Sequence, residues 1–237
     1  MVNADDFGFT HDVNEGIVEA HRKGILTATT LMANGDAFDD AVRLARKTPS
    51  LDVGCHLVLV QGMSVLEPGR PLPATLSELV REVMLGRLRI HDELAAQVRK
   101  IVAAGIQPTH LDTHKHTQLL PQVLAAVARI AREYGIAWVR CPLFRWGLAG
   151  LKTTDHFTGF RLTGSLTTES LIALLEKLPD GLTELMCHPG RLGPELRKAS
   201  TRLKESRAIE LKALTSERVS AVLTRRDIRL VNYRNSD

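Results

Sequence analysis

Aromatic residues are scarce in this chain: two Trp, two Tyr and six Phe make up 4% of its 237 residues. A core without large rings must be filled by aliphatic side chains, and a hydrophobic fraction of 44% supplies them. That palette suits parallel strands covered by helices on both faces. Cysteine is also sparse. Cys55, Cys141 and Cys187 are odd in number and far apart in sequence, which excludes a disulfide framework and predicts a reduced, cytoplasmic setting. No run of about 18 apolar residues occurs and no secretory segment is visible, so neither a membrane span nor export is expected. No Gly-rich dinucleotide fingerprint follows the first strand, which counts against an open Rossmann-type sheet.

Acidic charge falls slightly short of basic charge, leaving a net +4. The excess lies late in the chain, at Arg191, Arg197, Lys198, Arg202, Lys204 and Arg207, then at Arg218, Arg225 and Arg226. The stretch reads as a solvated helical face. A nucleic-acid or anionic-membrane surface is the alternative. No aromatics interleave with the charges, so no nucleic-acid partner is expected.

Short apolar runs alternate with amphipathic ones. Strands are predicted at Met1–Ala4, Leu26–Ala33, Asp52–Val60, Thr109–Thr113, Ile136–Arg140, Gly181–Cys187 and Ile228–Tyr233. The first is cut short, with few apolar residues ahead of Asn3. Helices are predicted over Asp12–Lys23, Ala37–Lys47, Leu76–Leu85, Ile90–Ala104, Leu120–Glu133, Leu166–Leu178, Lys204–Leu214 and Ser216–Thr224. Asp12 is the expected cap of the first helix, with Glu15 as its capping-box partner. Thr167 or Thr168 caps the sixth. Gln61–Thr75 reads as a loop, Cys141–Gly164 as irregular, and the segment after Cys187 as polar. About seven strands interleaved with helices predict one α/β domain over residues 1–237, a closed or distorted (β/α) barrel.

Four elements carry chemistry. Asp5-Asp6-Phe7-Gly8 closes the first strand, where two carboxylates can divide the work of ligand and base, or one can cap the next turn. His56 interrupts the apolar third strand, as a functional or a core histidine. In Thr109-His110-Leu111-Asp112-Thr113-His114-Lys115-His116, strand alternation turns His110, Asp112 and His114 to one face. Such a row is costly to bury unless a metal, a proton relay or ligand contacts satisfy it. His188 leaves the strand before Pro189-Gly190, in a good place for a general acid, or simply in a turn. A barrel gathers these strand ends at one rim. One carboxylate with two imidazoles leaves coordination positions open and suits zinc, manganese, cobalt or ferrous iron, whereas magnesium prefers more oxygen.

These residues resemble the YdjC-like carbohydrate deacetylases, the family that contains chitooligosaccharide deacetylase and a hopanoid-associated enzyme. The matching pieces are Asn3-Ala4-Asp5-Asp6-Phe7-Gly8, Asn14-Glu15-Gly16-Ile17, Gly54-Cys55-His56-Leu57, Pro108 through His116, and Glu184-Leu185-Met186-Cys187-His188-Pro189-Gly190. The resemblance implies a distorted barrel, one divalent ion (usually magnesium) and ligands at Asp6, His56 and His114. It implies Asp5 as general base, His188 as general acid and Arg140 as the arginine that orients the base. His110, Asp112, Lys115 and His116 are the expected substrate contacts or supports of the ligands. The implied substrate is an N-acetylated sugar, either a chitooligosaccharide or a related glycoconjugate such as a glycosylated hopanoid, and a homodimer is common in the family. The rivals are a metal-independent glycosidase using Asp5, Asp6 and Asp112, a non-catalytic sugar-binding protein and a metal phosphoesterase.

Overall fold

The computed structural model describes residues 1–141 and 148–236. Seven parallel strands form one sheet in the order β5-β4-β3-β2-β1-β7-β6. They are β1 (Val2–Phe7), β2 (Ala28–Leu31), β3 (Asp52–Leu57), β4 (His110–Thr113), β5 (Trp138–Val139), β6 (His156–Thr158) and β7 (Thr183–Cys187). Helices α1 (His11–Lys23), α2 (Phe38–Lys47), α3 (Leu76–Met84), α4 (Ile90–Ala103), α5 (Pro121–Glu133), α6 (Thr168–Leu175), α7 (Pro194–Lys198), α8 (Glu205–Leu214) and α9 (Glu217–Arg225) surround it. The sheet curls into a distorted (β/α) barrel, as predicted. Beyond β5 a single parallel bridge, Trp138 to Lys152, extends it.

Alternation along the strands sends two kinds of residue to two places. Val2, Ala4, Val53, Cys55, Leu57 and Leu111 join the aliphatic core against the helices. Asn3, Asp5, Thr30, His56, His110, Asp112 and Glu184 are buried in contact with one another inside the barrel, with Arg140 following β5. Gly54 makes room for this interior, since a Cβ there would lie 2.5 Å from the His110 carbonyl oxygen and 2.6 Å from its ring.

Several expectations are corrected. The first strand runs to Phe7, not Ala4, and is paired on both sides by β2 and β7. Thr10 rather than Asp12 caps α1, accepting from the Val13 N–H at 3.2 Å. Asp12 lies within the helix and accepts from the Leu196 N–H, while Glu15 pairs with Arg191. Of the expected irregular stretch Cys141–Gly164, residues 142–147, which include Pro142, lie outside the described residues; the rest contains β6. That strand is three residues long, too short for alternation to mark it. The polar segment after Cys187 contains α7, begun by Pro194 at its first turn. The last predicted strand does not form. Tyr233 instead packs with Met1, Ala28 and Trp138 at the N-terminal end of the barrel and stacks on His110, ring centroids 3.7 Å apart. Burying one ring there closes the barrel end, and Asp52 anchors the tail by accepting from the Arg234 N–H and side chain.

Candidate metal centre and catalytic cleft

Adjacent strand residues normally face opposite ways, yet Asp5 and Asp6 both turn into the same site. Pairing with β2 runs from Ala4–Thr29 to Phe7–Leu31, so Asp5 and Asp6 together stand opposite the single residue Thr30. This is a bulge, and Asp6 absorbs it with φ 69°. Aspartate tolerates that left-handed backbone better than most residues. A hydrogen bond from the Gly8 N–H to Asn14 Oδ1 at 2.7 Å fixes the turn that follows.

The bulge brings Asp6 to two imidazoles. Asp6 Oδ1 lies 3.3 Å from His56 Nε2 and 3.3 Å from His114 Nδ1, and those two nitrogens are 3.2 Å apart. Donors about 2.1 Å from one cation stand roughly 3.0–3.4 Å from each other. Asp6 Oδ1 is buried and makes no hydrogen bond of normal geometry among the described residues; the two imidazole nitrogens reach it only as long ion-pair contacts, a costly state for a carboxylate oxygen. Around these three side chains, once His56 is neutral as a metal-binding imidazole must be, the buried carboxylates Asp5, Asp6 and Asp112 outnumber the buried guanidiniums Arg140 and Arg207. Donor type, spacing, the orphaned oxygen and the charge surplus all fit a divalent cation.

His56 has a support behind it. His56 Nδ1 donates to Asp112 Oδ1 at 2.7 Å, which would leave Nε2 free to bind a cation. Asp112 Oδ2 accepts from Thr30 Oγ1 at 3.0 Å and pairs with Arg140 Nη1 at 2.8 Å. Burial opposes charge on His56, but the Asp112 carboxylate outweighs it and raises its pKa to about 10. His114 goes the other way, lowered by burial despite Asp6. β4 ends at Thr113, so His114 is aimed by a tight turn rather than by strand alternation. Lys115 and His116 follow it with φ 55° and 52°. Left-handed backbone at two successive residues with side chains costs about 1–2 kcal/mol each, and it carries His116 into the cleft beside Phe160, ring centroids 4.9 Å apart. Burial pushes the His116 pKa down to about 4.

Asp5 is held differently. Arg140 Nη1 and Nη2 donate to its two oxygens at 2.8 and 2.7 Å, and Arg140 Nε donates to Glu184 at 2.7 Å. Burial disfavours the Asp5 charge, but Arg140 overrides it and keeps the carboxyl well below the usual range. Asp5 Oδ1 also accepts from Asn3 Nδ2 at 3.1 Å, leaving Oδ2 the less occupied oxygen, and His188 Nε2 lies 3.9 Å from it. His188 Nδ1 has no partner among the described residues.

The candidate residues therefore assemble: Asp5, Asp6, His56, His114 and His188 meet at the base of a cleft of about 750 Å³, with Lys115 and His116 in its wall and Arg140 behind Asp5. Asp112 stands behind His56. His110 lies deeper in the barrel, bonded to Asn3 Oδ1 at 2.9 Å and stacked on Tyr233, so it meets the site through Asn3. Two residues escaped the sequence reading. Arg207, expected on a solvated face, is 1% exposed and donates from Nη2 to Asp6 Oδ2 at 2.5 Å. Glu210, 1% exposed, accepts from the His188 N–H at 2.5 Å. The buried side of α8 is Arg207, Glu210, Ala213 and Leu214. Charges occupy half of the inward positions, so no apolar stripe announced them.

Comparison with known proteins places the chain among relatives of similar sequence and fold. A family model described as YdjC-like protein matches residues 1–225. A carbohydrate deacetylase of Brevibacillus brevis is 36% identical over 243 residues, covering 98% of this chain and 97% of that protein. One from Geobacillus stearothermophilus is 36% identical over 242 residues, covering 99% and 96%. Among solved structures, an Enterococcus faecalis protein, provisionally described as a cellobiose-phosphate cleavage protein, superposes with a TM-score of 0.85 at 25% identity, covering 99% and 97%. A family 4 carbohydrate esterase from Streptomyces lividans, in complex with acetate, shares the fold with a TM-score of 0.55 at 12% identity, covering 99% and 93%.

Proposed function

The chain belongs to the YdjC-like protein family, and from that premise we propose that it is a metal-dependent hydrolase removing the acetyl group from an N-acetylated sugar. The observation that carries this reading is the orphaned Asp6 Oδ1 facing His56 Nε2 and His114 Nδ1, each 3.3 Å away, beside the Asp5–Arg140 pair and His188. Two relatives named carbohydrate deacetylase support it.

Asp6, His56 and His114 would hold the ion. When bound, it supplies Lewis acidity, polarising the acetamide carbonyl and lowering the pKa of a water. Asp5 accepts the proton of the attacking water on Oδ2, the oxygen left less occupied by Arg140 and Asn3. Arg140 keeps that carboxylate ionised and fixed in orientation. His188 delivers a proton from Nε2 to the departing amine, because an amide nitrogen leaves poorly as an anion. The products are acetate and a free amino sugar. Two imidazoles with one carboxylate favour zinc or manganese on ligand chemistry, and the family resemblance favours magnesium. Chitooligosaccharides are the first substrates to try, and a glycosylated hopanoid is the alternative. A glycosidase needs a pair of carboxylates on either side of a glycosidic bond, whereas Asp5 and Asp112 are both tied to the same guanidinium.

The test is acetate release from N-acetylglucosamine oligomers before and after removal of metal with EDTA. Release that stops on chelation and returns with added zinc, manganese or magnesium is expected. Undiminished release from chelated protein, or none from metal-loaded protein on any N-acetylated sugar, would refute the proposal.

A further inference from the structure

We propose that α8 is the positioning element of the site, with Arg207 orienting the carboxylate that binds the cation and Glu210 setting the place of His188. The Glu210 half rests on the deacetylase reading; the Arg207 half rests only on the metal centre.

Arg207 and Glu210 are three positions apart and so lie on the same face of α8. The helix is locked against the barrel. Ala213 and Leu214 are buried, the Leu214 carbonyl accepts from the Ile25 N–H at 3.1 Å, and the Arg207 carbonyl accepts from the Gly190 N–H at 3.1 Å. Gly16 lets the α1 backbone and the Pro189-Gly190 turn come together, since a Cβ there would sit 2.4 Å from Gly190 Cα. From this base the two side chains reach different halves of the site. Arg207 is itself held, donating from Nε to the Leu203 carbonyl at 3.2 Å, and its Nη2 occupies Asp6 Oδ2. Only Oδ1 of Asp6 is then left to face the two imidazoles. Glu210 Oε2 takes the His188 N–H and Oε1 takes the Gly164 N–H at 3.2 Å, pinning the exit of β7.

For Arg207 the charge effect and the positioning effect have opposite signs. A guanidinium beside a cation ligand repels the cation, so on charge alone its loss should tighten metal binding. As an orienting group its loss should weaken binding, by about 10–100-fold for an outer partner of a ligand. That opposition makes the claim decidable.

The experiment titrates Co²⁺ into the metal-free full-length chain and its variants, following the visible d–d absorption and the shift in melting temperature, with kcat and KM measured separately. R207K, which keeps the charge but cannot hold Asp6 Oδ2 and the Leu203 carbonyl together, is expected to bind Co²⁺ 10–100-fold more weakly with an altered spectrum. R207Q, which removes the charge as well, serves if the lysine variant does not fold, and a smaller net loss is expected of it, because the relieved repulsion partly offsets the lost orientation. E210Q is expected to keep wild-type Co²⁺ affinity and spectrum while kcat falls about tenfold or more with little change in KM. Unchanged or tighter Co²⁺ binding in the Arg207 variants would overturn the first half. An unchanged kcat in E210Q would overturn the second, as would a parallel loss of metal, activity and melting temperature. If the unaltered chain binds Co²⁺ but releases no acetate, the deacetylase reading fails while the Arg207 titration still stands.

Discussion

His56 Nδ1 and Asp112 Oδ1 stand 2.7 Å apart inside the barrel, and Asp112 in turn is bonded to Thr30 and Arg140. The carboxylate fixes which imidazole nitrogen carries the hydrogen and which is offered to a cation. Asp112→Asn leaves a hydrogen-bond acceptor but no charge. Metal affinity should fall about 10–100-fold, read as a Kd by isothermal titration.

The same pair sets a pH dependence. With its pKa raised to about 10 in the metal-free protein, His56 is protonated at neutral pH, and a cation must displace that proton. His114, lowered by burial, has no such proton to give up. Metal binding should therefore release close to one proton per ion at pH 7–8. Affinity should rise about tenfold per pH unit across that range and level off as the pH approaches the His56 value. Titration calorimetry in buffers of different ionisation enthalpy counts the protons. A Kd flat between pH 7 and 8 would contradict the assignment.

Removing either proposed proton-transfer group should separate chemistry from metal binding. His188→Ala and Asp5→Asn are each expected to lower kcat by about 10²–10⁴-fold, with Co²⁺ affinity within a few-fold of the unaltered chain. His56→Ala should lose the metal and the activity together.

Arg140 is predicted to be structural as well as functional. It is 2% exposed and touches Asp5, Asp112 and Glu184. Arg140→Met leaves buried carboxylates uncompensated, which typically costs about 3–5 kcal/mol. Denaturant unfolding should show that loss whether or not metal is present.

The sequence was informative where chemistry follows strand alternation. Asp52, Gly54 and His56 on β3, and His110 and Asp112 on β4, take the faces that a period of two assigns them. It was uninformative where backbone departs from that period. The bulge that turns Asp5 and Asp6 into one site, and the left-handed pair Lys115 and His116 that follows His114, leave no mark in hydrophobic pattern. Tyr233 ends a run with strand composition, yet it caps the barrel end as an irregular tail because its ring finds His110 and Trp138 there. Arg207 and Glu210 were hidden for another reason. Charged residues on a late helix look alike in sequence whether they face water or a buried partner of opposite charge.

Most barrels of this kind are filled with aliphatic side chains that can be exchanged one at a time. Here the interior is a mesh of charge, in which Arg140 answers to β1, β4 and β7 together. A single drift at Asp5, Asp112 or Glu184 takes one of the guanidinium's three partners, and a drift at Arg140 takes the counter-charge from all three acids. Such an interior can be rebuilt only by coordinated substitution across several strands, so descendants of this chain have far more freedom to vary the mouth of the cleft than its floor.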